Sequence, residues 1–112
     1  MVQKLLRESW FDQRTRLWVT CDHDSCLLEV SVKREVAGES GLVEVEILQQ
    51  AKDSRGLAIG PALLVHRQRI ECGAPDPHNW RSGRAWLPSR FANASIFGCY
   101  FRVHQPNAEE GA

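Results

Sequence analysis

The stretch 28-LEVSVKREVAGESGLVEVEI-47 decides how this chain is read. Leu28, Val30 and Val32 alternate with Glu29, Ser31 and Lys33, and Val43, Val45 and Ile47 alternate with Glu44 and Glu46. A period of two turns one face of each segment to a core and the other to water, as in half-buried strands. Between them, 37-AGESG-41 carries two glycines. The expectation is a hairpin that pairs the two strands side by side.

The same period recurs on either side. Leu17, Trp18 and Val19 read as a short strand ending at Cys21. After Gly60 and Pro61, the run 62-ALLVHRQRIEC-72 reads as a strand on its Val and Ile content. Residues 73-GAPDPHN-79 form a loop, because two prolines and a glycine forbid regular structure. A short strand is expected around Ala85–Leu87, stopped by Pro88. Phe97, Cys99, Phe101 and Val103 alternate with Gly98, Tyr100, Arg102 and His104, a strand with aromatic content. Gln49–Lys52 fit a helical turn. Residues 2–10 break the pattern: Val2, Leu5, Leu6 and Trp10 fall at helical spacing and predict a short helix lying as a lid on the sheet. The fold class is therefore mainly β: a small curled antiparallel sheet or barrel of about five to six strands with one short N-terminal helix. Residues 1–104 read as a single domain, and 105–112 as a frayed polar tail.

At 112 residues and 43% apolar the chain can bury one core, and 25% charged is an ordinary globular share. No segment approaches the roughly 18 apolar residues of a membrane span. The start, MVQKLLRESWFDQ, has no apolar h-region of a signal peptide. The expected compartment is the cytoplasm, and the four cysteines are expected to be free thiols or metal ligands.

Two places carry candidate chemistry. In 20-TCDHDSCLLEV-30, Cys21 and Cys26 close a tight loop around Asp22, His23 and Asp24. Zinc takes four soft or borderline ligands in a tetrahedron. Cys72 and His78, flanking 73-GAPDP-77, would complete a set of Cys21, Cys26, Cys72 and His78, with His23 or Cys99 in reserve. The same loop could serve a small metal-dependent enzyme, but the carboxylates beside His23 raise thiol pKa values and oppose a reactive thiolate. The competing reading places the cysteines on inward strand faces as small hydrophobes.

The second place follows from charge. Net charge is zero, yet residues 1–59 hold eight Lys/Arg against ten Asp/Glu, while 60–104 hold six arginines against two acids. In 80-WRSGRAWLPSRF-91, Trp80, Arg81, Arg84, Trp86 and Arg90 interleave aromatic anchors with guanidinium groups. Trp and Arg are enriched at interface centres. The preferred reading is a non-catalytic binding module, of the adaptor, inhibitor or phage-encoded or bacterial accessory kind, that docks on another protein through these residues and the 73–79 loop. The alternative is a nucleic-acid-binding small barrel, since aromatic rings stack on bases and arginines hold phosphates. A homodimer is also expected, because an edge strand and exposed aromatics invite self-pairing.

Apart from these places, 93-NASIFG-98 resembles the second half of the cyclic-dinucleotide motif of PilZ domains, N-x-S-x-x-G, over six residues, and is not taken as a site. The upstream R-x-x-x-R element of that family has no counterpart, since Arg81 and Arg84 are too close together. Asn93-Ala94-Ser95 also fits the N-glycosylation pattern, but nothing in the sequence directs the chain to a secretory route.

Overall fold

The computed structural model describes residues 6–22, 24–91 and 99–106. Among these, seven strands form two antiparallel sheets. The strands are β1 (Leu6–Phe11), β2 (Thr15–Cys21), β3 (Cys26–Lys33), β4 (Leu42–Gln49), β5 (Leu63–Glu71), β6 (Trp80–Trp86) and β7 (Tyr100–His104). One sheet has the order β1-β2-β3-β6 and the other β5-β4-β7. The mainly β reading holds, with more strands than expected and with two sheets rather than a closed barrel.

The alternating residues do what their period dictates. Leu17, Val19, Leu28, Val30 and Val32 of the first sheet meet Val43, Val45, Ile47 and Ile70 of the second in one buried cluster. Burying apolar side chains at about 25 cal/mol per Å² is what holds two such faces together. The sheets approach most closely where β5 crosses β6. A Cβ on Gly83 would lie 2.6 Å from Ile70 Cγ2 and 2.7 Å from the Glu71 carbonyl oxygen, so only glycine admits the crossing.

Three expectations about local structure are corrected. The expected N-terminal helix over 2–10 is not formed in its described part. Leu6–Phe11 is β1, paired with β2 from Leu6↔Cys21 to Phe11↔Arg16. A nine-residue helix is marginal on its own, whereas β2 offers a row of backbone partners. The turn that permits the pairing is 12-DQR-14, where Asp12 Oδ1 accepts the N–H groups of Arg14 and Thr15, both at 2.7 Å.

The expected hairpin across 37–41 is also absent. Both strands exist, but β3 pairs with β2 and β6, and β4 pairs with β5 and β7. A helical turn, α1 (Arg34–Ala37), ends at Gly38 with φ 63° and carries the chain from one sheet to the other. Stacking the two apolar faces across the core buries both. Period two names the buried face of a strand and not its neighbour.

Gln49–Lys52 is no helical turn either. Residues 50–62 form an arm that folds back on itself through an antiparallel Lys52↔Ala58 bridge. The strand read over 97–103 is observed as Tyr100–His104, with residues 92–98 and the motif within them outside the described residues.

Candidate functional site

The β2-β3-β6 register sets one outer face. Lys33 stands opposite Trp80, Ser31 opposite Ser82, Glu29 opposite Arg84, and Leu27 opposite Trp86. On β2, Arg16, Trp18 and Thr20 face Ser31, Glu29 and Leu27. Residues directly opposite share a face, so three tryptophans from two strands, with Arg16, Lys33 and Arg84, look outward together. Phe11 joins from β1, its ring 5.6 Å from Trp18 in an edge-on contact. Trp86 is 66% exposed and Phe11 62%. A shallow groove of about 300 Å³ runs between Trp18 and Arg84 over Ser31, Ser82 and Gly83.

Local bonds fix this face. Asp76 Oδ1 accepts the N–H groups of His78 (2.8 Å) and Trp80 (2.9 Å), and Asp76 N–H donates to the Trp80 carbonyl at 2.8 Å. The Trp80 amide, above all, holds the Asp76 carboxyl below its usual range. The closed loop delivers Trp80 to the start of β6. The Arg16 guanidinium lies 4.2 Å from the Trp80 ring and the Lys33 ammonium 4.8 Å. Lys33 Nζ also donates to the His78 carbonyl at 2.9 Å. Glu29 is the carboxylate among these cations, and Arg84 forms no ion pair with it.

Of the five residues singled out in 80–91, Trp80, Arg84 and Trp86 lie on this face and two do not. Arg81 turns inward and donates to the carbonyls of Gly73 (2.7 Å), Glu39 (3.2 Å), Gly38 (3.4 Å) and Cys72 (3.4 Å). Arg90 donates to the Val65 carbonyl at 2.6 Å and lies over the Phe91 ring. Both fasten main chain. Sequence reading missed Arg16, Trp18, Leu27 and Lys33. Their signal was parity: Leu17 and Val19 point in, so Arg16 and Trp18 point out.

The outer face of the second sheet is built differently. Glu44 and Glu46 stand on β4 between Arg69 and Arg67 of β5 and His104 and Arg102 of β7. Glu44 Oε1 lies 3.5 Å from Arg67 Nε and 3.6 Å from Arg69 Nε. Glu46 Oε1 lies 2.7 Å from His104 Nε2 and 3.6 Å from Arg102 Nε. The other ring nitrogen, His104 Nδ1, is 2.7 Å from the Gln105 carbonyl. A neutral imidazole has one N–H and these are two acceptors, so the doubly protonated ring satisfies both. The Gln105 carbonyl first, then Glu46 and Glu44, hold the His104 pKa above its ordinary 6.5 against burial. The His104 hydrogen bond is the main cause that holds Glu46 below its ordinary 4.5.

The basic half of the sequence is thereby dispersed. Arg67, Arg69 and Arg102 face the two glutamates, Arg81 and Arg90 bind carbonyls, and Arg84 alone of the six reaches the aromatic face.

Cys21 and Cys26 stand directly opposite each other with Cα atoms 4.2 Å apart and form a disulfide, where free thiols or zinc ligands were expected. The connecting loop is an Asp22-centred turn: Asp22 Oδ1 accepts the N–H groups of Asp24 and Ser25 and the Ser25 hydroxyl. Cys72 and Cys99 are buried free thiols, their pKa values pushed up by burial. Cys72 lies against Gly83 in the middle of β6, while the Cys26 carbonyl accepts the N–H of Leu87, just past the end of β6. His78 is on the exposed 73–79 loop. The fold thus separates Cys72 and His78 from the Cys21–Cys26 pair, and His23 lies outside the described residues. Among the described residues no three His, Cys, Asp or Glu side chains gather as a metal site. No described helix is long and apolar enough to cross a membrane.

No protein-family model matches the sequence, and no curated protein or solved structure matches it.

Proposed function

We propose that this protein is a non-catalytic binding module that docks on another protein through the outer face of the β1-β2-β3-β6 sheet. The observation that carries the reading is Trp86, 66% exposed on an edge strand and sharing its face with Trp18, Trp80 and Arg84. A large aromatic left in water on a rigid sheet gains most when a partner covers it. Arg84 supplies a planar donor fork for a carboxylate on that partner. Arg16 and Lys33 are already ordered on Trp80, so little side-chain entropy remains to be lost there.

The same face could stack a single-stranded nucleic acid, but its charge favours protein. Three cations stand with the Glu29 carboxylate among them, and two of the cations already cover Trp80. Phosphate tracking wants a continuous basic groove.

The test is paired affinity capture with the wild-type chain and a Trp86→Ser/Arg84→Glu variant, after nuclease treatment. A specific protein retained by the wild type and lost by the variant supports the reading. Equal capture by both sinks it. In parallel, titration with single-stranded oligonucleotides at about 50 and 200 mM salt is expected to show no tight binding; tight association falling steeply with salt would favour nucleic acid instead.

A further inference from the structure

Exposed large apolar side chains are unevenly spread over the described residues. Phe11 and Trp86 belong to the aromatic face; the other five, Leu57, Ile59, Leu63, Leu64 and Tyr100, gather at one end of the second sheet. There β4 pairs with β5 through Leu48↔Leu64 and Gln49↔Leu63, and with β7 through Leu48↔Tyr100. A β-bulge between Ile47 and Leu48 breaks the in–out alternation at this point.

The chain leaves this end as the 50–62 arm, which is shaped by its own hydrogen bonds. Asp53 Oδ1 accepts the N–H groups of Arg55 (2.8 Å) and Leu57 (3.0 Å), Ile59 N–H donates to Ala51, and the Gln50 side chain donates to Gly60. None of these bonds buries Leu57 or Ile59, which stay 57% and 52% exposed. An ordered arm with its aliphatic side chains in water is a surface completed by another molecule.

We infer that this end binds a second copy of the chain, the two arms packing across one another so that the five side chains of each copy are covered. Charge selects the occupant. Asp53 and Arg55 pair at 3.8 Å, and Lys52 lies over the Tyr100 ring at 5.4 Å, so two such ends meet without a block of like charge. The aromatic face sets Arg16, Lys33 and Arg84 against Glu29, and two copies of it would repel. Area agrees. Five half-exposed large side chains present about 100 Å² each. A two-fold interface of standard size covers about 800 Å² per partner, somewhat over half of it apolar.

Sedimentation equilibrium of the full chain from about 1 to about 200 µM tests this. The expected result is a reversible species of twice the 12.7 kDa chain mass. Leu57→Asp with Ile59→Asp is expected to weaken association roughly tenfold or more with an unchanged circular dichroism spectrum. Leu63→Lys, on β5 itself, is the second variant and is expected to do the same. Trp86→Ser should leave the dimer intact, which separates this contact from the aromatic face. A monomer at every concentration overturns the inference. So does a dimer indifferent to the arm variants. Flotation of a monomeric chain with phosphatidylcholine vesicles, abolished by the arm variants, would assign the same end to a lipid surface and overturn it as well.

Discussion

The two outer faces of this sandwich are made by one rule and come out opposite. On each sheet, alternate residues look away from the core. On β5-β4-β7 these include Arg67, Arg69, Glu44, Glu46, Arg102 and His104, and cross-strand register sets both β4 glutamates beside bases. Glu44 is so enclosed that it is 1% exposed. On β1-β2-β3-β6 the outward residues are Trp18, Trp80, Trp86, Arg16, Lys33 and Arg84 around Glu29, and cations lie on rings rather than on carboxylates. An arginine count therefore marks no site. What stands opposite each arginine on the next strand decides whether it is structure or surface.

The comparison breaks most sharply at Glu44. Glu44→Lys sets a cation among Arg67, Arg69 and His104 and is expected to cost about 4 kcal/mol in urea unfolding. A loss under about 1 kcal/mol would mean that the ion-pair lattice is not structural. Next come two arginines three residues apart on β6. Arg81→Ala frees the carbonyls it ties together and should cost about 2 kcal/mol. Arg84→Ala should stay within about 0.5 kcal/mol. Equal losses would erase the distinction between inward and outward guanidinium groups.

A smaller effect is expected from pH. Glu46 has its pKa lowered from 4.5, so its contribution is complete above pH 4.5 and is lost as pH falls through the depressed value. His104 has its pKa raised from 6.5, so its contribution is complete below pH 6.5 and is lost as pH rises through the raised value. The pair thus stabilises most between 4.5 and 6.5. His104→Gln should flatten the alkaline decline of the urea midpoint; a variant with the same slope would refute the linkage. The smallest effect belongs to Trp86→Ser, within about 0.5 kcal/mol of wild type in the same assay. A large loss there would return Trp86 to the core and remove the docking face.

Much of this architecture was legible from side-chain alternation, and the missing part has one physical cause. Leu28–Val32, Val43–Ile47 and Phe101–Val103 declared their buried faces because period two is a property of a single strand. Partnership is a property of two strands, so the 37–41 connection read as a hairpin when it is a passage between sheets. The N-terminal segment read as a helix because Val2, Leu5, Leu6 and Trp10 fit a stripe, and the turn at 12-DQR-14 was passed over. Trp80, Arg84 and Trp86 were singled out and share an outer face, while Arg16 and Trp18 of the same face were passed over because the parity of β2 was not followed outward. Cys21 and Cys26 were singled out for zinc, but the β2-β3 register sets them directly opposite, where they bond to each other. Thiol titration in denaturant without reductant should count only Cys72 and Cys99; a count of all four would restore the free-thiol expectation.

The order of strands also bears on how the chain acquires this form during synthesis. Each sheet receives a strand from far downstream: Ser31 of β3 meets Ser82 of β6 across 51 residues, and Glu46 of β4 meets His104 of β7 across 58. On a ribosome, the β1-β2-β3 meander and the β4-β5 hairpin emerge while one flank of each still lacks its neighbour. Contacts so distant in sequence form slowly. The nascent chain therefore spends an interval with unpaired strand flanks, and Arg102 and His104 neutralise glutamates translated long before them.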